Sequence, residues 1–310
     1  MKKVKFLPLL CLAPMMLAAC GGVSKPSFAK AGSKVEASEF GEKFEKAIED
    51  SFFALKEEGQ RMPSLSGKAV EKSSVKSVLK RDKKQISKYT SSSTDKTVLK
   101  YDSKNLVASY VEKSSGSSSS KDKTGSSRDS SKVKATMFYQ KGSHDGETTM
   151  DYVAVEDKTF EVESPLEEGK EAASFDGMMA MAIYFGFVSE FEDYCDIDPE
   201  KGSLYINKDK VFTVEAKDEM TNDDNAAFTV AVKSYVKAQL SLAKKDTLKV
   251  VVYTETKTTT TYKEDISISG SDYFAGDVAE YERKESYVAT LKAKKVSLKA
   301  KDISKFKEVK

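Results

Sequence analysis

A change in side-chain period along the chain places the strongest limit on its fold. Between about residues 68 and 163, apolar side chains tend to take every second position, as in the run KVKATM at 132–137. A period of two is typical of half-buried antiparallel strands. The glycines of the segment 142–146, GSHDG, predict a hairpin turn between two of these strands. We therefore expect this region to form antiparallel sheet.

The segment before these strands has a helical period. Apolar residues recur there at spacings of four, four, four and three, at Phe40, Phe44, Ile48, Phe52 and Leu55. This spacing predicts an amphipathic helix over about 36–58, and Gly59 stands where a helix C-cap is expected.

Two further helices are predicted in the second half of the chain. The first spans about 172–193, with Ser174 as its N-cap, and the second spans about 223–244, opened by the polar cluster at 222–224. Between them we expect a hairpin of Leu204–Asn207 and Val211–Glu215. Strands return after Asp246, and the last is expected to begin at Val296 and Leu298.

This order of elements predicts an α+β fold. Helices gathered on one side of an antiparallel sheet bury the apolar faces of both kinds of element. We expect a curved antiparallel sheet or incomplete β-barrel, with about three helices on one side, as a single domain over 35–310. The serine-rich segment 114–131 contains no apolar side chain, so it is predicted to be a disordered loop within that domain.

The N-terminus has the features of a secretion signal. Three lysines precede an apolar run of 14 residues, 6–19, which is too short to span a bilayer as a helix. The sequence LAAC at 17–20 resembles the lipobox of bacterial lipoproteins. The resemblance implies that residues 1–19 are a cleaved signal peptide, that Cys20 carries the acyl groups, and that the protein is anchored at the extracytoplasmic face of the membrane. Residues 20–34 are expected to be a lipidated, flexible tether.

The body of the chain carries no family motif. Its element order, together with the anchor, is similar to the incomplete barrel with helical lid of bacterial lipoprotein carriers. That similarity implies a cavity between sheet and helices that holds a lipid.

Composition limits the partners and the redox chemistry. The leader holds three of the 51 basic residues, which leaves 48 basic against 49 acidic groups and therefore no overall attraction to nucleic acid. Mixed-sign charge runs are interpreted as an ordinary solvated surface. Cys11 leaves with the leader and Cys20 is acylated, so Cys195 is expected to be a lone, buried structural thiol.

No catalytic motif, metal site or cofactor site is recognisable in the sequence. The single histidine, His144, lies in a predicted turn, and no G-x-S-x-G sequence accompanies it. One histidine and one thiol do not make an ordinary zinc site. Asp196, Asp198 and Glu200 lack the spacing of a calcium loop and are interpreted as a turn. We expect a protein that is not an enzyme, although chemistry that uses only carboxylates leaves little local signature.

The predicted second helix is the most unusual segment of the mature chain, because apolar residues surround it. Such a helix is normally buried on all sides. The alternative is that one face packs on the sheet and the other lines a cavity for an acyl chain or similar ligand, because methionine suits adaptable apolar surfaces. The candidate lining residues are Met178, Met181, Phe185 and Phe187.

Two functions follow from these observations. The first is a membrane-anchored lipoprotein that binds a lipid or other apolar ligand. The alternative is a structural or interaction lipoprotein of the cell envelope that contacts a protein or host partner. A cavity beneath 178–191 favours the first function, and its absence favours the second.

Overall fold

The fold is mostly β. The computed structural model describes residues 23–55, 59–198, 200–268 and 271–309. Strand accounts for 58% of the structure and helix for 12%. The predicted α+β class is therefore wrong, and one 13-stranded sheet dominates the described chain.

The helices are short and few in the described residues. Helix α1 spans Ala37–Glu49 and α2 spans Glu171–Ile183. A π-helical turn, Tyr184–Val188, continues α2 directly into α3, Ser189–Glu192.

Fifteen strands are found in the described part of the chain. They are β1 Ser33–Val35, β2 Leu65–Arg81, β3 Lys84–Asp102, β4 Val107–Lys121, β5 Ser126–His144, β6 Glu147–Ala154, β7 Thr159–Pro165, β8 Gly202–Asn207, β9 Val211–Asn222, β10 Phe228–Lys244, β11 Thr247–Tyr262, β12 Ile266–Ile268, β13 Ser271–Tyr273, β14 Val278–Ala293 and β15 Lys307–Glu308.

The large sheet has the order β1-β8-β9-β10-β11-β14-β2-β3-β4-β5-β6-β7-β15. All neighbouring pairs are antiparallel except β15 with β7. The short strands β12 and β13 form a separate ribbon. Most neighbours in the sheet are joined by short hairpins. The antiparallel strands predicted for 68–163 and the hairpin predicted for 204–215 are confirmed.

The central strands are much longer than the core they cover. Strands β3 and β5 each have 19 residues, about 60 Å at 3.3 Å per residue. Their buried apolar residues lie at one end, where the helices pack, as do Leu65 of β2 and Leu291 of β14. The other halves of the strands are rich in serine, threonine and lysine and extend beyond the core.

Helix α1 packs through two phenylalanines. Phe40 and Phe44 are buried and meet the ring of Phe212 on β9 edge-on, at centroid distances of 5.6 and 5.4 Å. The helix ends at Glu49, so the predicted extension to 58 is wrong, as is the C-cap at Gly59. Residues 50–53 form turns instead, and 56–58 lie outside the described residues.

The segment from α2 to α3 confirms the predicted second helix almost to its ends. Its buried side chains form a stripe on the sheet side: Phe175, Met179, Ile183, Phe187, Val188 and Phe191. Gly67 on β2 allows close contact, because a Cβ there would lie 3.1 Å from Cζ of Phe187. Ser174 is not the N-cap; Lys170 holds that position, and the Ser174 hydroxyl donates to the Lys170 carbonyl.

The predicted third helix, 223–244, is wrong. Most of it is strand β10, which pairs with β9 on one side and β11 on the other. Several β-branched residues, including Val230, Val232 and Val236, suit a strand that is held on both sides. The polar cluster before it makes a turn, in which the Asp224 amide donates to the Asn222 side chain.

The serine-rich segment 114–131 is not a disordered loop. It forms the outer ends of β4 and β5, joined by a turn at 122–125. Asp122 accepts hydrogen bonds from both the amide and the hydroxyl of Thr124 in that turn. Backbone pairing of β4 with β3 and of β5 with β4 orders a segment that has no apolar group to bury.

Both ends of the described chain lie on the sheet face opposite the helices. Residues 23–32 follow β10 and are not a flexible tether, and the Gln239 side chain exchanges two hydrogen bonds with the Ala29 backbone. At the other flank, residues 294–306 form no strand, so the predicted strand at Val296 is wrong. They pack instead through Leu298, Ile303 and Phe306.

A buried carboxylate joins the second helix to the sheet. Asp176 is fully buried and accepts hydrogen bonds from Tyr101 Oη at 2.5 Å, Arg61 Nε at 2.6 Å and the Met62 amide at 3.1 Å. Burial and this hydrogen bond raise the pKa of Tyr101 well above its usual value. Three parts of the chain therefore meet at one side chain.

We expect Asp176→Ala to lower the free energy of unfolding by about 2–4 kcal/mol, because it leaves the Tyr101 hydroxyl and the Met62 amide without partners. The control, Glu39→Ala, removes a carboxylate from the exposed ion pair with Lys43 on α1 and should cost less than about 1 kcal/mol. Denaturant unfolding of both variants measures the difference. Equal costs would show that Asp176 does not hold the helix to the sheet.

Candidate functional site

The four predicted ligand-lining residues do not surround one cavity. Phe187 is 4% exposed and faces the sheet, whereas Met181 and Phe185 are 49% and 41% exposed on the far side of the helix. Met178 is partly buried at the sheet. The segment is apolar all round, yet only one of its faces is covered.

The space beneath the helix is small. A pocket of about 20 Å³ lies between Met178, Met179 and Ala182 on the helix and Leu99 and Tyr139 on the sheet. This is room for about one water molecule, whereas sites for small organic ligands have volumes of about 300–1,000 Å³. The described structure has no room for an acyl chain at this place.

The helical segment Glu171–Glu192 also satisfies the length and apolar composition of a membrane-crossing helix. Helices in the cores of soluble proteins meet the same criteria. Its buried stripe and Asp176 attach it to the sheet.

His144 and Cys195 occupy structural positions. The His144 ring lies at the end of β5, with Nε2 3.0 Å from Asp151 Oδ2, and stacks on Phe160. Burial raises the pKa of the Cys195 thiol to about 12, so the nucleophilic thiolate is scarce at neutral pH.

Carboxylates near Cys195 form a turn, in which Asp198 accepts the Glu200 amide at 2.9 Å. Among the described residues, no group of three or more histidine, cysteine, aspartate and glutamate side chains is arranged to hold a metal ion.

The outer halves of β2–β5 separate charge by face. Cross-strand register shows which side chains share a face: Lys96 is opposite Lys113, and Lys113 is opposite Lys134. On the face opposite the helices, every charged residue of 66–78, 88–100, 107–121 and 126–140 is basic. We call this set the basic face: Lys68, Lys72, Lys76, Lys88, Lys96, Lys100, Lys113, Lys121, Arg128, Lys132 and Lys134.

These side chains are exposed and almost entirely without acidic partners. Among the described residues, Lys134 is the member of the basic face that has an ion pair, with Glu156 at 3.2 Å. The same face of the neighbouring strands differs, because Lys237 pairs there with Glu215 at 2.7 Å. Like charges directly opposite each other destabilise a sheet. The row of Lys96, Lys113 and Lys134 therefore lowers the stability of the sheet and does not help to hold the fold together.

The centre of the basic face offers hydroxyl groups between the cations. A row of serines, Ser74, Ser92, Ser117 and Ser130, crosses the four strands between two basic rows. The Ser92 hydroxyl is buried, at 7% exposure of the residue, and has no hydrogen-bond partner in the described chain. An open depression of about 350 Å³ lies beside it, lined by Thr94, Ser115, Lys96, Lys113, Lys132 and Lys134 among others.

The opposite face of the same strand segments is acidic. Its charged residues are Glu71, Asp95, Glu112 and Asp129, without a basic residue among them. Burial, reinforced by Asp95 and by Glu190 and Glu285, raises the pKa of Glu71 to about 7. Burial and then Asp95 also raise the pKa of Glu112. These segments of β2–β5 are therefore basic on one side and acidic on the other.

The sequence contained a signal for this arrangement. Lysines at 68, 72 and 76 share one parity, and the intervening Glu71 has the other. Interpreting mixed-sign runs as a solvated surface overlooked that alternation along a strand sorts the two signs onto two faces.

Comparison with known proteins gives no assignment. No family model matches the chain, and no curated protein matches it. Among solved structures, the outer membrane protease OmpT from Escherichia coli has 7% identity and a TM-score of 0.20, covering 76% of this chain and 98% of its own. An outer membrane channel from Pseudomonas putida F1 has 9% identity and a TM-score of 0.22, covering 76% of this chain and 99% of its own.

A FadL homologue from Pseudomonas aeruginosa has 6% identity and a TM-score of 0.15, covering 74% of this chain and 90% of its own. Likenesses of this size assign neither fold nor function.

The raised pKa of Glu71 has a consequence for stability. Between about pH 4.5 and 7 the folded protein holds a proton that the unfolded chain has released, so the free energy of unfolding falls as pH rises through this window. We expect Glu71→Gln to raise the free energy of unfolding by about 1–3 kcal/mol near pH 8 and to leave it unchanged near pH 4. Denaturant titrations at the two pH values measure this, with Glu45→Gln on the exposed side of α1 as control. A stabilisation that is equal at both pH values would contradict the electrostatic cause.

Proposed function

We propose that this chain is a lipid-anchored, extracytoplasmic protein without enzymatic activity that binds a polyanionic partner through its basic face. The observation that carries the proposal is the collection of eleven exposed basic side chains on one face of β2–β5, ten of them without an ion pair in the described chain. A partner with clustered anionic groups supplies the missing counter-charges. The serine hydroxyls between the cations supply hydrogen-bond donors for its oxygens.

The anchor is the second part of the proposal. Cys20 lies outside the described residues, and the lipobox-like LAAC at 17–20 supports its acylation. Two or three acyl chains, at roughly 0.8 kcal/mol for each buried methylene, hold a protein stably at a membrane.

A lipid held inside the body is less well supported. The volume beneath Met178 and Met179 is about 20 Å³, and Met181 and Phe185 point away from it. The interaction role, which was the alternative from sequence, fits the exposed and ordered basic face better.

Acylation is tested in the full precursor. We expect Cys20→Ala to abolish incorporation of labelled palmitate, because no other cysteine stands at a lipobox-like site. The variant should leave the membrane fraction after a high-salt wash, while the wild type stays. Incorporation of label by the variant, or none by the wild type, would contradict the assignment.

Polyanion binding is tested with inorganic polyphosphate as the probe. We expect the triple variant Lys96→Ser, Lys113→Ser, Lys134→Ser to weaken binding roughly 10–100-fold, because each lysine near an anionic surface contributes about 1 kcal/mol. Affinity of the wild type should fall steeply with salt.

The control removes the same charge elsewhere: Lys46→Ser, Lys170→Ser, Lys208→Ser, at exposed positions on α1, before α2 and in the β8–β9 turn. It should bind polyphosphate nearly as well as the wild type. Equal losses in the two triple variants would show that net charge, and not the basic face, determines binding.

A further inference from the structure

The N-terminal segment shows where the anchor leaves the body. Residues 23–32 lie on the same side of the sheet as the basic face: Lys25 Nζ donates to Tyr235 Oη at 2.7 Å, and the Ala29 amide donates to the Gln239 side chain at 2.8 Å. Tyr235 and Gln239 are outward residues of β10. The segment therefore runs along β10 from the middle of that strand, at Tyr235, towards the end of the strand that packs on the helices.

Little chain separates the docked segment from the anchor. Val23, three residues after Cys20 in the sequence, is 6% exposed, and Lys25 already contacts β10. Three residues span at most about 11 Å when fully extended. With the acylation of Cys20 that we propose, the acyl chains would enter the bilayer within about 11 Å of Val23.

The basic face lies beside this exit point. In the sheet order, β2 is three strands from β10 and β5 is six strands from it. At about 4.8 Å between strands, these separations are about 14 and 29 Å. Measured along the sheet, the basic face therefore begins about 14 Å from the strand on which the N-terminal segment docks.

The two sides of the sheet differ in their affinity for an anionic surface. The outward side of β2–β5 carries the basic face, whereas the helix side of the same strands carries Glu71, Asp95, Glu112 and Asp129. Anionic lipids attract the first and repel the second. Four of these lysines, Lys96, Lys113, Lys132 and Lys134, line the open depression.

We propose that the polyanionic partner of the basic face is the anionic lipid surface of the membrane that carries the anchor, with the sheet lying along it and the helices facing away. This inference rests on the proposed function, because it identifies the partner of the same face. On this inference the acyl anchor and the lysines contact the same membrane surface. Stable membrane association of acylated proteins often requires two such contacts.

Binding without the anchor is the first test. The mature chain with Cys20→Ala is mixed with phosphatidylcholine vesicles that contain or lack phosphatidylglycerol. We expect salt-sensitive binding only to vesicles with phosphatidylglycerol. The Lys96, Lys113, Lys134 triple serine variant should bind about 100-fold more weakly, at about fivefold for each lysine, and the Lys46, Lys170, Lys208 triple serine variant should bind like the parent.

Orientation is the second test. The acylated wild type is reconstituted into the same vesicles and treated with a water-soluble acetylating reagent, and modified lysines are identified by mass spectrometry. We expect Lys96, Lys113 and Lys134 to be protected in phosphatidylglycerol vesicles relative to detergent solution. Lys170, at the start of α2 on the helix side, should react equally in both.

The outcomes separate the two proposals. Binding to polyphosphate without binding to phosphatidylglycerol vesicles would overturn this inference and leave a soluble polyanion as the partner. Equal acetylation of Lys96 and Lys170 on vesicles would overturn the orientation. If the protein bound neither polyphosphate nor phosphatidylglycerol vesicles, the proposed function would be overturned as well.

Discussion

Backbone hydrogen bonding between long antiparallel strands holds together the half of the sheet that has no hydrophobic core. Strand β4 is paired along its length with β3 on one side and β5 on the other. Cross-strand hydroxyl pairs add to this pairing, for example Thr90 with Ser119 at 2.8 Å and Ser120 with Ser127 at 2.9 Å. The far end is tied down by Arg81, which donates two hydrogen bonds of 2.8 Å to the buried carboxylate of Asp277.

A sheet that extends beyond its core has two solvated faces, and the alternation of side chains gives each face its own charge. In β2, Lys68, Lys72 and Lys76 point one way and Glu71 the other. Within a two-layer core, one of these faces would be apolar and only one could carry charge. The extended sheet therefore permits a neutral protein to present a strongly basic surface, which net charge alone does not reveal.

The parts of the fold that the sequence predicted well are those in which periodicity and burial agree. The alternation at the core end of 68–163 occurs where side chains contact the core, and the apolar segment 172–193 is a helix with one face buried there. The failures have different causes. In 223–244, polar clusters at both ends suggested a helix, but pairing with β9 and β11 decides the structure of residues that are apolar at both parities. In 114–131, the absence of apolar groups suggested disorder, but neighbouring strands order the backbone.

The candidate site was missed for a related reason. Met178, Met181, Phe185 and Phe187 were selected for their chemistry, and a helix that covers the sheet with one face separates them. Lys96, Lys113 and Lys134 are ordinary as single residues, and they become a row only through the register of three strands. Register depends on long-range pairing, which the local sequence does not specify.

The docked N-terminal segment connects these features. If residues 23–32 were a flexible tether, 14 residues from 21 to 34 would allow a reach of roughly 20 Å and any orientation of the body. Contacts of Lys25 with Tyr235 and of Ala29 with Gln239 remove that freedom. With the proposed anchor at Cys20, a short connection would constrain orientation as well as distance, because it would keep the side of the sheet from which it leaves near the bilayer. The lysines without ion pairs lie on that side, so the proposed anchor would place an anionic lipid surface within reach of their charges.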